Sequence, residues 1–159
     1  MRCRPSPKRG RPEDASDVRS VVVDANVIVS FFVDRHAKQR DAADALLHEA
    51  EEGEIAAIIP QFVAFEVAYV LQSQYGYAGD RLAALIRDLI AFPGVQFVDD
   101  CPWKRLLQVW PDPLAGLADA AIVAVATSKR YDAVATFDRK LATRLEKFGV
   151  AAYWSLRSV

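Results

Sequence analysis

At 159 residues, 52% hydrophobic and 26% charged, the chain has the length and balance of one globular domain with a real core. Twenty Lys and Arg against twenty-one Asp and Glu leave a formal charge of −1, which excludes attachment to nucleic acid by bulk charge alone. Cys3, Cys101, His36 and His48 make neither a disulfide framework nor a zinc-ligand spacing.

Residues 1–17, MRCRPSPKRGRPEDASD, carry three prolines and five bases before the first acid. That composition predicts a disordered basic tail, either a solvated extension or an electrostatic arm for RNA, ahead of a folded domain over 18–159. The tail has no apolar core of a secretory signal, and no run approaches the roughly 18 apolar residues of a membrane span. A reducing cytoplasm is the expected location. Residues 1–20 hold six bases and three acids, so the remaining 139 hold fourteen bases and eighteen acids, a net of −4. Where those acids sit becomes the question.

Val21-Val22-Val23 is a short β-branched run, as in a strand buried on both faces. Ala43, Leu46, Leu47 and Ala50 keep helical spacing within 37–52, and Gly53 stops that helix. Ile55–Ile59 reads as a second buried strand, and Gln61 to about Gln74 as a helix with Val63, Val67, Val70 and Leu71 on one face. Leu82–Leu89 gives the next helix, Val95–Val98 a third strand, and Trp103–Trp110 a short helix. Gly116–Lys129 is apolar nearly all round, so it should run through the core. Ala133–Phe137 is a fourth strand, Arg139–Phe148 a helix, and Ala151–Trp154 a fifth strand. Strands alternating with helices predict parallel pairing in a three-layer α/β/α sandwich with about five strands.

Four acids interrupt this apolar pattern. Asp24 directly follows the first strand, at the edge where ligands bind in open α/β sheets; a turn or helix-cap role is equally open to it. Glu66 falls within or beside the apolar stripe of its helix, where a carboxylate is costly unless it is paired or reaches water. Asp119 is the one polar side chain between Leu114 and Ala126. It is either a ligand for a buried partner or a first-turn acid complementing the helix dipole. Asp138 ends the fourth strand and opens the next helix, as an N-cap would.

In a parallel sheet these positions share one edge, and four carboxylates there repel one another unless cations intervene. Oxygen-only ligand sets select hard ions such as Mg²⁺ or Mn²⁺ over zinc. Such sites support metal-assisted phosphodiester hydrolysis. There is no GxGxxG, no GxxxxGK[ST] and no GxSxG, so dinucleotide, P-loop and Ser-hydrolase readings lack support.

The order of these acids resembles that of PIN-domain ribonucleases. The matching segments are Val23-Asp24-Ala25-Asn26, Phe65-Glu66-Val67, Leu117-Ala118-Asp119-Ala120-Ala121 and Thr136-Phe137-Asp138-Arg139. The stretches around Asp119 and Asp138 are especially similar to VapC-type toxins of toxin–antitoxin modules. The resemblance covers about Ser20 to Trp154. It implies Mg²⁺- or Mn²⁺-dependent endonucleolytic cleavage of RNA, with Asp24, Glu66, Asp119 and Asp138 as catalytic and metal-binding residues. It also implies a homodimer inhibited by a small VapB-like antitoxin, with Asn26 and Thr136 supporting the acids. Asp112, between Pro111 and Pro113, either extends the acidic rim or is a loop acid, and His36 and Lys38 either face substrate or are solvated. A housekeeping RNA-processing nuclease and a catalytically inactive RNA- or protein-binding module remain as alternatives.

Because core periodicity begins only near Ser20, deleting residues 1–17 should leave folding intact. Circular dichroism of the truncated protein checks this; an unfolded product would show that the domain starts earlier.

Overall fold

The computed structural model describes residues 18–156, so the basic tail at 1–17 lies outside the described residues. In chain order the elements are β1 (Arg19–Val23), α1 (Ala25–Phe32), α2 (Ala37–Glu51), β2 (Ile55–Pro60), α3 (Gln61–Tyr75) and α4 (Gly79–Ala91). They continue with β3 (Val95–Val98), α5 (Trp103–Val109), α6 (Leu117–Ser128), β4 (Ala133–Ala135), α7 (Arg139–Leu145) and β5 (Ala151–Ala152). Short 3₁₀ turns follow α7 (Glu146–Phe148) and β5 (Tyr153–Leu156).

The five strands form one parallel sheet in the order β3-β2-β1-β4-β5. β1 lies at its centre, with Val22 opposite Ile58 of β2 on one side and Val134 of β4 on the other. A strand flanked this way is apolar where helices cover both faces, and after Arg19 and Ser20 at its start Val21, Val22 and Val23 are fully buried. Chain progression from β1 to β3 runs one way across the sheet, and from β3 through β4 to β5 it runs back. Right-handed crossovers therefore place α1–α4 on one face and α5–α7 on the other. The packing agrees: α1 touches α2 and α3, α3 touches α4, and α5 touches α6. This is the expected three-layer α/β/α sandwich. The direction reverses at β1 and β4, so a crevice opens outside their carboxyl ends.

α6 runs through the core as its composition predicts, with every residue from Ala120 to Ala126 buried. Among the described residues no helix is long and apolar enough to cross a membrane.

Three local differences from the sequence expectation have physical causes. α1 was not foreseen, because Ala25–Phe32 is a short, partly β-branched run, apolar but for Asn26 and Ser30, too brief to display a helical stripe. It is helical because the Asp24 side chain accepts from the Ala25 N–H and caps it, while Val27, Ile28 and Val29 are buried together. β4 ends at Ala135, two residues early: the Phe137 N–H turns away from the ladder to the Asn26 side chain at 3.1 Å. β5 ends at Ala152, and Tyr153 instead buries its ring and donates its hydroxyl to Glu49 Oε2 at 2.5 Å.

Gly94, in the turn before β3, has φ of +77°, and a Cβ there would lie 2.0 Å from the Ala50 carbonyl oxygen. Gly53 has the same φ but faces open space. Gly53→Ala should cost about 1 kcal/mol from the left-handed backbone alone. Gly94→Ala should cost about 2 kcal/mol more, because α2 must shift. Urea unfolding of the two variants separates these contributions, and equal losses would contradict the packing described.

Candidate active site

Four elements bring the acids to the carboxyl edge of the sheet. Asp24 follows β1 and Asp138 follows β4; Glu66 lies in the second turn of α3, just after β2, and Asp119 in the first turn of α6. Helices that follow parallel strands start at this edge, so acids in their first turns are delivered to it.

Asp24 is the most constrained. Its Oδ1 accepts from the Ala25 N–H at 2.7 Å, and its Oδ2 accepts from the Thr136 hydroxyl at 2.7 Å and the Asn26 amide at 3.1 Å. The Asp24 N–H itself extends the β1–β4 ladder to the Ala135 carbonyl at 2.9 Å. Thr136 is buried, and its hydroxyl accepts from the Asp138 N–H at 3.1 Å and the Asn26 amide at 3.3 Å. A hydroxyl has one proton and two lone pairs. With N–H donors on the acceptor side, its proton is directed to Asp24. Asn26 completes the knot by accepting from the Phe137 N–H. The supporting positions expected at Asn26 and Thr136 are therefore both in contact with Asp24.

Asp138 caps α7, its Oδ1 accepting from the Lys140 N–H at 2.8 Å and the Leu141 N–H at 3.2 Å. Among the described residues no donor reaches its Oδ2, so capping and ligand roles are compatible on one carboxylate. Glu66 and Asp119 take no hydrogen bond from the described residues. Glu66 is exposed at the border of the α3 stripe, beside buried Val63 and Val67, while Asp119 is half-buried.

Burial is the main cause that raises the Asp24 carboxyl above its ordinary range. The Thr136 and Ala25 hydrogen bonds oppose it, and repulsion from Asp119 and Asp138 adds to it. Partial burial raises Glu66, with repulsion from Asp24 and Asp119 added. Burial also raises Asp119, with repulsion from Asp138 added and the attraction of Arg144 opposing. Repulsion thus acts between Asp24 and each of Glu66, Asp119 and Asp138, and between Asp119 and each of Glu66 and Asp138.

No ion pair joins a base to any of the four, the pairs among the described residues being Arg40–Asp34, His48–Glu51 and Lys129–Asp100. Nor do any three acidic, histidine or cysteine side chains among those residues close into a ready-made metal cage. The acids meet at electrostatic range. An all-oxygen set of this kind fits a hard, hydrated dication that keeps several of its own waters. Beside Glu66 an apolar hollow of about 270 Å³ is lined by Phe62, Cys101, Trp103, Leu106, Leu117, Ala118 and Ala121. Asp112, His36 and Lys38 are exposed.

Sequence reading missed Arg144, which is six residues from Asp138 and faces Asp119 only through the fold. The signal available was its helical spacing from Lys140.

A family model described as PIN domain matches residues 21–146, a span that encloses all four acids. Among curated proteins, none matches the sequence. Among solved structures, VapC20 of Mycobacterium tuberculosis, described as a sarcin-ricin loop cleaving toxin, is similar in fold. The TM-score is 0.59 at 16% identity, over 77% of this chain and 93% of that one.

Three raised carboxyls carry a consequence for stability. In metal-free solution the folded protein binds more protons than the unfolded chain once pH exceeds the ordinary carboxylate range, so stability falls as pH rises through the raised values. Asp119→Asn removes one of these repelling charges. It should raise the melting temperature at about pH 7 and give a smaller gain near pH 3, below the ordinary carboxylate range, where most carboxyls are protonated in both states. Thermal melts in EDTA read this directly, and an equal loss of stability at both pH values would contradict it.

Proposed function

The chain belongs to the PIN-domain family, and from that premise we propose that it is a divalent-metal-dependent endoribonuclease acting as the toxin of a toxin–antitoxin pair. The observation that supports this most is the meeting of Asp24, Glu66, Asp119 and Asp138 at the topological switch point, with no base among the described residues ion-paired to them. Asp24, Glu66, Asp119 and Asp138 would hold Mg²⁺ or Mn²⁺, since the donor set they offer is all oxygen. Bound there, the cation supplies Lewis acidity towards a phosphate oxygen and acidifies water.

The protein's own groups do the rest. Thr136 and Asn26 lock the Asp24 carboxylate in one orientation, so no reorganisation is needed when substrate arrives. Glu66 and Asp119 take no hydrogen bond from the described residues, so their carboxylate oxygens remain able to accept from a water in the crevice. The Asp138 cap bonds hold that carboxylate at the start of α7 with one oxygen turned to the crevice.

The same crevice suits a planar guanidinium, which forks across two carboxylate oxygens. A small VapB-like antitoxin directing Arg or Lys to these four acids is the proposed inhibitor, with a cytoplasmic homodimer as the working assembly. The activity named for VapC20 makes the sarcin-ricin loop the first substrate to try.

Purified protein incubated with total RNA should cut it in Mg²⁺ or Mn²⁺, stop in EDTA, and gain little from zinc. Asp119→Asn should fold and lose about 100-fold or more of the rate. Near-normal cleavage by folded Asp119→Asn, or full activity in EDTA, would overturn the assignment. Expressed alone, the protein should arrest growth, and a neighbouring gene product should relieve it. A non-toxic protein that still cuts RNA would be a processing nuclease instead, and one that binds without cutting would be an inactive module.

A further inference from the structure

The segment from Arg139 to Lys147 is rich in positive charge. It holds four bases, Arg139, Lys140, Arg144 and Lys147, against one acid, Glu146. All four bases are exposed, and none enters an ion pair among the described residues. Several other bases are engaged: Arg35 donates to Tyr75, Arg81 lies over the Tyr77 ring, and Arg105 donates to Thr127. Cations left unpaired side by side repel one another, so this arrangement is stabilised when an anion joins them.

Their placement is ordered. Lys140 and Arg144 are four residues apart, as are Thr143 and Lys147, so they share one side of α7 and its 3₁₀ extension. Arg139, Lys140, Thr143, Arg144 and Lys147 line a groove of about 410 Å³. A second groove of about 320 Å³ shares Arg144 and Lys147 and is walled by Pro113, Leu114 and Phe148. α7 starts directly after Asp138, and Arg144 is near enough to Asp119 to attract its carboxylate. The cationic groove therefore begins at the acidic crevice and leads away from it towards the amino edge of the sheet.

Four acids at the crevice repel the polyanion on which a nuclease acts, and one bound dication offsets only part of that charge. Flanking phosphates need cations of their own. Nine helical residues span about 13 Å, room for a few consecutive phosphates of one strand. We infer that the α7 groove is a phosphate track for single-stranded RNA next to the scissile bond, with Lys140, Arg144 and Lys147 as positioning residues. Contacts of this kind set register without reading sequence. The inference rests on the ribonuclease reading and names how that site holds its substrate.

The test is binding of a mixed-sequence single-stranded RNA oligonucleotide in EDTA, followed as a function of salt, beside cleavage of the same RNA in Mg²⁺. Each phosphate neutralised on a single strand contributes about 0.7 to the slope of log K against log salt. The variant Lys140→Gln/Arg144→Gln/Lys147→Gln should flatten that slope by about 2, equally for unrelated sequences, and its cleavage defect should fall in KM more than in kcat. Arg130→Gln, at the amino edge beyond α6, should leave the slope unchanged. If the triple variant does not fold, Lys147→Gln alone should flatten the slope by about 0.7. Wild-type cleavage in Mg²⁺ with an unchanged slope in the α7 variants overturns the track and leaves the nuclease reading standing. The expected slope change without cleavage supports the track and overturns the nuclease reading; no RNA binding in EDTA at any salt overturns the track, and absence of cleavage in Mg²⁺ as well overturns both.

Discussion

The Asp24 carboxylate follows the buried end of the central strand of the sheet, in a place where an ionised group is expensive to keep. Three donors make the position tenable: the Ala25 N–H, the Asn26 amide and the Thr136 hydroxyl. The last two come with a structural consequence. Asn26 reaches from α1 to the Phe137 N–H, and Thr136 takes the Asp138 N–H, so one network ties the ends of β1 and β4 together. That tie stops β4 at Ala135, starts α1 at Ala25 and sets the approach to α7. Holding one carboxylate thus shapes the whole switch point.

Electrostatics then divides the molecule around this point. Asp24, Glu66, Asp119 and Asp138 converge without an ion-paired base among the described residues, and burial with mutual repulsion lifts the carboxyls of Asp24, Glu66 and Asp119. From Asp138 onward the chain changes sign along α7. A near-zero net charge conceals this pairing of an acidic crevice with a basic groove. On the proposed reading, an RNA polyanion would meet two different neighbours: acids that need a dication between them and the reacting phosphate, and fixed cations for the phosphates beside it.

Much of the architecture was legible because long segments obey one period. The all-apolar Val21–Val23 and Ile55–Ile59 runs, and the apolar α6, admit few placements other than the core. α1 was not legible: Ala25–Phe32 is too brief to display a helical stripe, and its helix depends on the Asp24 cap and on packing against α2 and α3. The ends of β4 and β5 were overextended because Thr136, Phe137, Tyr153 and Trp154 look like strand residues. Their fold-level partners, Asn26 and Glu49, are remote in sequence, and Trp154 stacks on Phe137 with ring centres 4.5 Å apart. The four acids stood out because acids are rare in apolar elements. The knot that orients Asp24 and the nearness of Arg144 to Asp119 arise only when separate elements meet.

The central claim is that these four carboxylates bind one kind of ligand, a hard dication. Calorimetric titration of the metal-free protein with Mn²⁺, repeated in buffers of different ionisation enthalpy, tests it most directly. The account predicts saturable binding that releases protons at mildly acidic pH, because cations displace protons from carboxyls raised above their ordinary range, and it predicts that Asp24→Asn weakens binding sharply. Saturable binding that Asp24→Asn leaves unchanged, or no Mn²⁺ binding at all, would contradict it.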